Sequence, residues 1–204
     1  MARQNFKPGA LEAPLPAVMV STGDMENSNI LTVAWTGILS TDPPRAYISV
    51  RPSRHSHKII TETGEFVINL TTEKLARVTD YVGIYTGAKV DKFAKCNLTK
   101  KESLKVSAPT VAESPIALEC KVFDIIHSGT HDVFLADIVN VSCDEEIVDE
   151  KGRICFERAG LIAYSHGEYF ALGKKVGRFG FSTDKKKKAP QRKKQSRQKG
   201  AKGK

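Results

Sequence analysis

The stretch IALECKVFDIIHSGTHDVFLADIVNV, residues 116–141, decides the fold. Each half alternates with the two-residue period of a β-strand, and each is longer than the mean strand. Between them, SGTH at 128–131 is typical of a hairpin turn. Long paired strands that bend around a core predict a small antiparallel barrel. The residues predicted to share one face of the first strand are Leu118, Cys120, Val122 and Asp124.

The rest of the chain supplies shorter strands and two helices. The other predicted strands are residues 15–22, 30–35, 46–51, 65–70 and 167–170. One helix is predicted over 53–62, with Ser53 as its N-cap and Gly64 closing it, and another from Thr71 or Thr72 to about Tyr81. No βαβ alternation and no GxGxxG motif is present, which argues against a Rossmann fold. We therefore predict a mainly β protein, an antiparallel, Greek-key-like barrel with peripheral α-helices.

The positive charge of the chain is concentrated at its end. Of 32 Lys and Arg residues, eleven lie in 185–204, and the remaining 21 are balanced by 23 Asp and Glu. We predict one domain over 1–183 and a disordered, Lys/Arg-rich tail over 184–204. The tail is either a solubilising extension or a segment that attaches electrostatically to nucleic acid or an acidic partner. It lacks aromatic residues, so any nucleic-acid contact is expected to be non-specific and salt-dependent.

Several classes of protein and site are disfavoured. No apolar run approaches the ~18 residues of a membrane span, and the first residues are polar, so we expect a cytoplasmic protein with no membrane partner. The four cysteines form no CxxC pair and the five histidines no metal spacing, so no metal site is predicted. His127 and His131 flank the hairpin turn and are expected to face solvent. No catalytic triad or paired acid site can be assembled, so no catalytic residue is assigned.

A basic loop with hydroxyl groups, RPSRHSHK at 51–58, precedes the first predicted helix. A phosphate at such a position gains from unpaired backbone N–H groups and the helix dipole, and arginine adds charged hydrogen bonds. A solvated basic turn is the alternative interpretation.

Two further segments contribute to the hypothesis. In TVAWTG, residues 32–37, a strand that runs beyond its pairing partner would offer free backbone groups to the polar edge of a flavin. Trp35 could instead be a buried core aromatic. In YTGAKVDKF, residues 85–93, an acid, a base and an aromatic share a glycine-containing loop, although alone it reads as an ordinary surface loop.

These segments occur in an order that resembles the flavin reductase-like family, and within it the flavoredoxin-type FMN-binding split-barrel proteins. The resemblance covers about residues 10–175 and is carried by LPAVMVS, NILTVAWTG, the DPP before a strand, the RPSRHSHK loop, EFVINL and DKF. It implies a split barrel with non-covalent FMN, a homodimer with FMN near the subunit interface, and oxidoreduction or electron transfer. NAD(P)H or a redox protein would be the electron donor.

The resemblance also implies roles for individual residues. The strand segment Ala34, Trp35 and Thr36 would meet the isoalloxazine ring. The phosphate candidates are Ser53, Arg54, Ser56, His57 and Lys58, and Arg51 could serve either group. Asp91, Lys92 and Phe93 would close over the ring or contact it from the partner subunit.

Two alternatives remain open at this level. A barrel that binds nucleic acid or an acidic partner would act through the tail, although the slightly acidic remainder of the chain disfavours it. A split barrel with another ligand, such as a haem or a different flavin, would make His57 or His166 a candidate ligand.

Overall fold

A computed structural model describes residues 2–183. Residues 2–173 form one compact unit. The described residues 174–183 belong to a second unit and end with the 3₁₀ turn Phe181–Thr183. The predicted tail, residues 184–204, lies outside the described residues. None of the helices in the described part of the chain combines the length and apolar character that crossing a bilayer requires.

The compact unit contains twelve strands and three α-helices. The strands are β1 Leu15–Pro16, β2 Val18–Thr22, β3 Asn29–Val33, β4 Thr36–Thr41, β5 Pro44–Val50, β6 Glu65–Leu70, β7 Lys100–Lys101, β8 Thr110–Val111, β9 Ile116–Ser128, β10 His131–Cys143, β11 Ile162–Ser165 and β12 Glu168–Ala171. The helices are α1 His55–Thr63, α2 Ala76–Ile84 and α3 Lys92–Lys95, with 3₁₀ turns at Glu73–Leu75, Glu145–Ile147 and Phe156–Arg158.

Seven antiparallel strands form the main sheet, in the order β3-β2-β6-β9-β10-β5-β4. A smaller sheet has the order β1-β11-β12, and β7 pairs with β8. The predicted antiparallel split barrel is confirmed. Its core lies between the curled halves of the main sheet, where Phe66 and Phe134 are fully buried.

The two edge strands of the main sheet are consecutive in the chain. The predicted strand 30–35 ends at Val33, and Ala34 and Trp35 form a bend that leads into β4. The prediction of one strand through Trp35 is therefore wrong, because the chain passes here from one edge of the sheet to the other. The Ser49 N–H donates to the Trp35 carbonyl at 2.8 Å and ties the bend to β5.

The long hairpin contains one irregularity on each strand. Phe123 on β9 and Val139 on β10 have no direct partner in an otherwise continuous ladder. A residue added to one strand shifts the side-chain alternation beyond it. Ile125 therefore packs against the core, whereas Asp124 is exposed. The prediction that Asp124 shares the face of Leu118 is wrong for this reason.

The helices begin and end close to the predicted positions. Arg54, and not Ser53, is the N-cap residue of α1, and its φ of −77° and ψ of 134° are extended. The predicted role of Gly64 is confirmed, since its φ is 67° and its N–H donates to the Ile60 carbonyl at 2.8 Å. Val82 on α2 and Leu75 in the 3₁₀ turn before it are buried in one cluster with sheet residues, as their spacing predicts.

Candidate functional site

Two adjoining cavities form a groove beside the β3–β4 bend. The wider has a volume of about 550 Å³ and the narrower about 360 Å³. We call them the wide end, lined by Ala34 and Trp35, and the narrow end, lined by Ser53 and Ser56. The residues that line both are Leu31, Thr32, Arg51, Arg54 and Gly83. The groove therefore brings together two segments that the sequence singled out separately.

Trp35 stands at the wide end as a partly exposed aromatic. Its side chain is 39% exposed, which rules out the alternative of a buried core residue. Its ring centroid lies 4.5 Å from that of His131, with the planes tilted by 48°. The bend thus presents an aromatic surface beside backbone that has left the main ladders.

His131 belongs to this surface, although the sequence suggested a solvent-facing residue. It is half-buried and lines the wide end, so that expectation is wrong, whereas the side chain of His127 is 83% exposed. Burial lowers the pKa of His131, and the charges of Arg51 and Arg54 lower it further. His131 is therefore held as a neutral imidazole. The alternation of β10 could have indicated that it points away from buried Phe134.

A second wall of the wide end comes from the small sheet and α2, through Tyr164, Tyr169 and Asp80. Tyr164 and Tyr169 meet edge to face, with ring centroids 5.4 Å apart. The Tyr169 hydroxyl donates to Asp80 at 3.3 Å. Burial, followed by the charge of Asp80, raises the pKa of Tyr169 to about 12, so this hydroxyl stays protonated. Sequence reasoning missed this wall, because nothing local connects it to the bend.

The narrow end is formed where α1 begins. Arg51, Ser53, Arg54 and Ser56 line it together, as the RPSRHSHK loop predicted. The Arg54 N–H donates to the Arg51 carbonyl at 2.9 Å, which fixes the turn before the helix. The first N–H groups of a helix lack internal acceptors and carry its positive dipole. The arrangement is suited to an anion.

A hydrogen bond from β3 supports the first turn of α1. Asn29 Nδ2 donates to Ser56 Oγ at 2.6 Å, and both side chains are buried. Gly87 approaches Asn29 so closely that a Cβ at position 87 would lie 2.0 Å from Asn29 Oδ1. Neither Asn29 nor Gly87 was predicted, since their contact joins residues distant in the sequence. The only local indication of this close approach was the glycine in the 85–93 segment.

Lys92 of α3 also lines the narrow end. Its side chain is 3% exposed, and its Nζ donates to the carbonyls of Val82 at 2.9 Å and Tyr85 at 3.2 Å. Burial and then the charge of Arg54 lower the pKa of Lys92 to about 8.

Five of the predicted residues line neither cavity, namely Thr36, His57, Lys58, Asp91 and Phe93. Thr36 Oγ1 donates to the Tyr47 carbonyl at 2.7 Å, and Lys58 pairs with Glu62 at 3.6 Å on the exposed side of α1. Asp91 accepts from the Ala94 N–H at 3.1 Å as the N-cap of α3. Phe93 is 3% exposed and packs in the core between α2, α3 and the sheet. Direct ligand contacts by these residues remain predictions.

His57 points away from the groove toward the long hairpin. Its Nε2 lies 2.7 Å from Asp132 Oδ2, and His127 Nδ1 lies 2.8 Å from Asp132 Oδ1. Hydrogen bonding from His127, and then from His57, lowers the pKa of the buried Asp132 carboxyl. This bridge holds α1 against β10, next to His131. Among residues 2–183, no cluster of His, Cys, Asp and Glu is arranged to hold a metal ion.

The flavin reductase like domain model matches residues 11–173. An uncharacterized protein of Archaeoglobus fulgidus is 33% identical over 144 residues, which cover 71% of this chain and 81% of that protein. Flavoredoxin of Desulfovibrio vulgaris (Miyazaki F) matches in structure with a TM-score of 0.84 and 30% identity, over 90% of this chain and all of that one. An FMN-binding protein from Thermus thermophilus with bound 1-cyclohex-2-enone shares the fold, with a TM-score of 0.71 and 22% identity over 87% of this chain and 98% of that one. On this evidence, the chain belongs to the flavin reductase-like domain family.

Proposed function

We propose that the protein binds flavin mononucleotide non-covalently in the groove and acts through it as an oxidoreductase or an electron carrier. The observation that carries this proposal is the continuity of the groove across Arg51 and Arg54, which line both ends. The wide end offers Trp35, whereas the narrow end offers Ser53 and Ser56 beside a helix start. A ligand with a flat ring at one end and a phosphate at the other fits this distribution.

At the wide end the chain would hold the ring. The backbone of Ala34 and Trp35 has left the main ladders and can meet the mixed donors and acceptors of a flavin edge. The Trp35 carbonyl already accepts from Ser49, which keeps the bend in place. Bound flavin supplies the redox chemistry, and the protein positions and tunes it. Arg51 provides a positive charge that favours an anionic reduced ring.

At the narrow end the chain would hold the phosphate. The guanidinium of Arg54 offers charge-assisted hydrogen bonds, and the hydroxyl of Ser53 adds a neutral one. The buried bond between Asn29 and Ser56 fixes the first turn of α1, so its backbone N–H groups are directed before the ligand arrives. The Desulfovibrio vulgaris flavoredoxin and the Thermus thermophilus FMN-binding protein, both of this fold, support a flavin as the ligand.

The absorbance spectrum of the purified protein tests the proposal directly. We expect a yellow protein that releases flavin on denaturation, or an apoprotein that quenches added FMN on binding. FMN should bind more tightly than riboflavin, and FAD serves as a third ligand for comparison. A colourless protein that leaves FMN fluorescence unchanged would overturn the proposal.

Electron donors are tested separately from binding. We propose NAD(P)H or a redox protein as the donor, because no described group in the groove is itself a redox centre. Anaerobic titration of the flavin-loaded protein with NADH and NADPH should bleach the absorbance if a nicotinamide is the donor. Bleaching by a chemical reductant but by neither nucleotide would favour an electron carrier.

We also propose a homodimer. β4 is an edge strand, and its Ile38 and Leu39 are 62% and 48% exposed. Exposed apolar side chains on a sheet edge are commonly covered by a partner. Light scattering combined with size-exclusion chromatography should give twice the chain mass, and Ile38→Lys should shift the protein toward monomer.

Deleting residues 185–204 distinguishes the flavin function from the tail-based alternative. FMN affinity should be unchanged by the deletion, and any affinity for nucleic acid should disappear. Loss of FMN binding would show that the predicted division into a flavin-binding domain and a separate tail is wrong.

A further inference from the structure

Lys92 is buried, and no ion pair within residues 2–183 joins it to an acid. The residue is 3% exposed, and its ammonium donates to the Val82 and Tyr85 carbonyls. These carbonyls lie at the end of α2, where a helix leaves acceptors unpaired and where a cation is favoured by the dipole. The Lys92 side chain on α3 thus holds the last turn of α2 through two hydrogen bonds.

The segment held by Lys92 forms part of the narrow end. Tyr85, Thr86 and Gly87 follow α2 directly and line this cavity together with Lys92. Gly87 packs against Asn29, whose amide supports Ser56 in α1. A continuous series of contacts therefore runs from the ammonium to the first turn of α1.

We propose that Lys92 is a positioning residue for the flavin phosphate: its ammonium fixes residues 85–87 against the narrow end and, while protonated, adds positive charge to that of Arg54. This inference rests on the proposed function and assigns to the site a dependence on pH in the mildly alkaline range. Lys92 acts through the neighbouring backbone and through its charge, and not by closing over the ring.

The surroundings of Lys92 support a change of charge in that range. Its pKa is lowered to about 8, first by burial and then by Arg54 in the turn before α1. From α3 it faces Cys96, whose thiol pKa is raised by burial, and Asp91 is the residue before it. From α2 it faces Tyr85, which stacks on Tyr81, whose pKa is also raised by burial. Burial therefore moves the pKa values of Cys96 and Tyr81 upward, away from that of Lys92.

Two arginines and two histidines complete the charged surroundings. Arg51 and Arg54 line the narrow end with their guanidinium groups, and His55 lines it with an imidazole. Burial lowers the pKa of His131, which lines the wide end. His55→Gln is included as a control variant for the imidazole at the narrow end.

The test is the ratio of riboflavin to FMN dissociation constants from about pH 7 to about pH 9.5. A phosphate with a second pKa near 6 is already about nine-tenths doubly ionised at pH 7, so its own charge changes little across this range. For the wild-type protein we expect the FMN dissociation constant to rise by about 3- to 10-fold across this range, and that for riboflavin to change little. Lys92→Met should bind FMN weakly at all pH values and lose the pH dependence. Lys92→Arg, which cannot deprotonate, should retain affinity without the alkaline loss.

Lys95→Met is the matched control, because Lys95 lies on the same helix and is exposed. It should reproduce the wild-type affinity and pH profile, and circular dichroism verifies that each variant is folded. A wild-type ratio that stays constant with pH, or an unchanged profile in Lys92→Met, would overturn the role of Lys92 and leave flavin binding intact. Failure of the wild-type protein to bind either flavin would overturn the proposed function and this inference with it. The chemical shift of the ¹³Cε-labelled Lys92 side chain in the free protein follows its titration independently of flavin.

Discussion

The wide and narrow ends of the groove share two arginines but differ in how they are held. At the wide end Trp35 is partly exposed and contacts another ring, His131, on a bend between two edge strands. At the narrow end Ser56 and Lys92 are buried and hydrogen-bonded to partners from β3 and α2. The narrow end is thus preorganised by buried polar contacts, whereas the wide end is an open surface. We expect phosphate recognition to be the rigid part of the site and ring binding the adaptable part.

The largest expected effect comes from Arg54→Ala. Losing a charged hydrogen bond costs about 1.5–3 kcal/mol, so FMN affinity should fall by about one to two decades. Riboflavin affinity should barely change if the two ends act separately. Arg77→Ala is the matched control, because this exposed arginine on α2 lines neither cavity. An equal loss of affinity for FMN and for riboflavin would show that Arg54 does not contact the phosphate.

Ser56→Ala tests whether the narrow end is held by buried polar contacts. The change leaves the buried amide of Asn29 without its acceptor, which should lower the free energy of unfolding by about 1–3 kcal/mol. Chemical denaturation of the flavin-free protein measures this value. Ser53→Ala, at an exposed position of the same loop, should leave it nearly unchanged. Similar values for the two variants would contradict the distinction between the ends.

Trp35→Ala tests the wide end. Removing the aromatic face should weaken FMN and riboflavin equally, by about 3- to 10-fold, since an aromatic contact contributes about 1 kcal/mol. Thermal stability should change little because Trp35 is partly exposed. Phe170→Ala, at an exposed aromatic on β12, provides the control. A loss confined to FMN would mean that the ends are coupled.

The smallest effect concerns the bridge at Asp132, which holds α1 against β10. Hydrogen bonds from His127 and His57 lower the folded-state pKa of Asp132. Its contribution to stability is therefore fully present above the unfolded-state pKa of about 3.9 and is lost as the pH falls through the lower, folded-state value. In Asp132→Asn, the free energy of unfolding should therefore depend less on pH below about pH 4. The free energy of unfolding, measured by denaturation at several pH values, checks this prediction. An unchanged pH dependence in Asp132→Asn would show that the bridge does not contribute to acid stability.

The sequence predicted elements whose signals are local. The long hairpin, the strand at 65–70 and the glycine that ends α1 could all be read from alternation and residue type. The basic loop likewise predicted which side chains would gather at the start of α1. These features depend on neighbours within a few residues of one another.

The remaining features depend on contacts between distant segments. The sequence around Asn29 does not indicate that Gly87 packs against it. The sequence around Lys92 does not indicate that its ammonium donates to a carbonyl at the end of α2. The face of Asp124 was misassigned because an unpaired residue interrupts a period that otherwise looks regular. Charge and hydroxyl content predict a binding loop well, but they do not predict which segments close around it.

The two irregularities in the long hairpin have a consequence for how its length can change. Phe123 adds a residue to β9 and Val139 adds one to β10, so the two strands are in step again at both ends of the ladder. Deleting Phe123 alone would make Val122 and Asp124 neighbours and keep their partners Ala136 and Leu135, so the ladder would continue without the irregularity. Deleting Val139 as well would leave a continuous ladder that is one residue shorter on each strand. Deletion of an unpaired residue should therefore preserve the side-chain directions, whereas deletion of a paired residue would reverse them beyond that point.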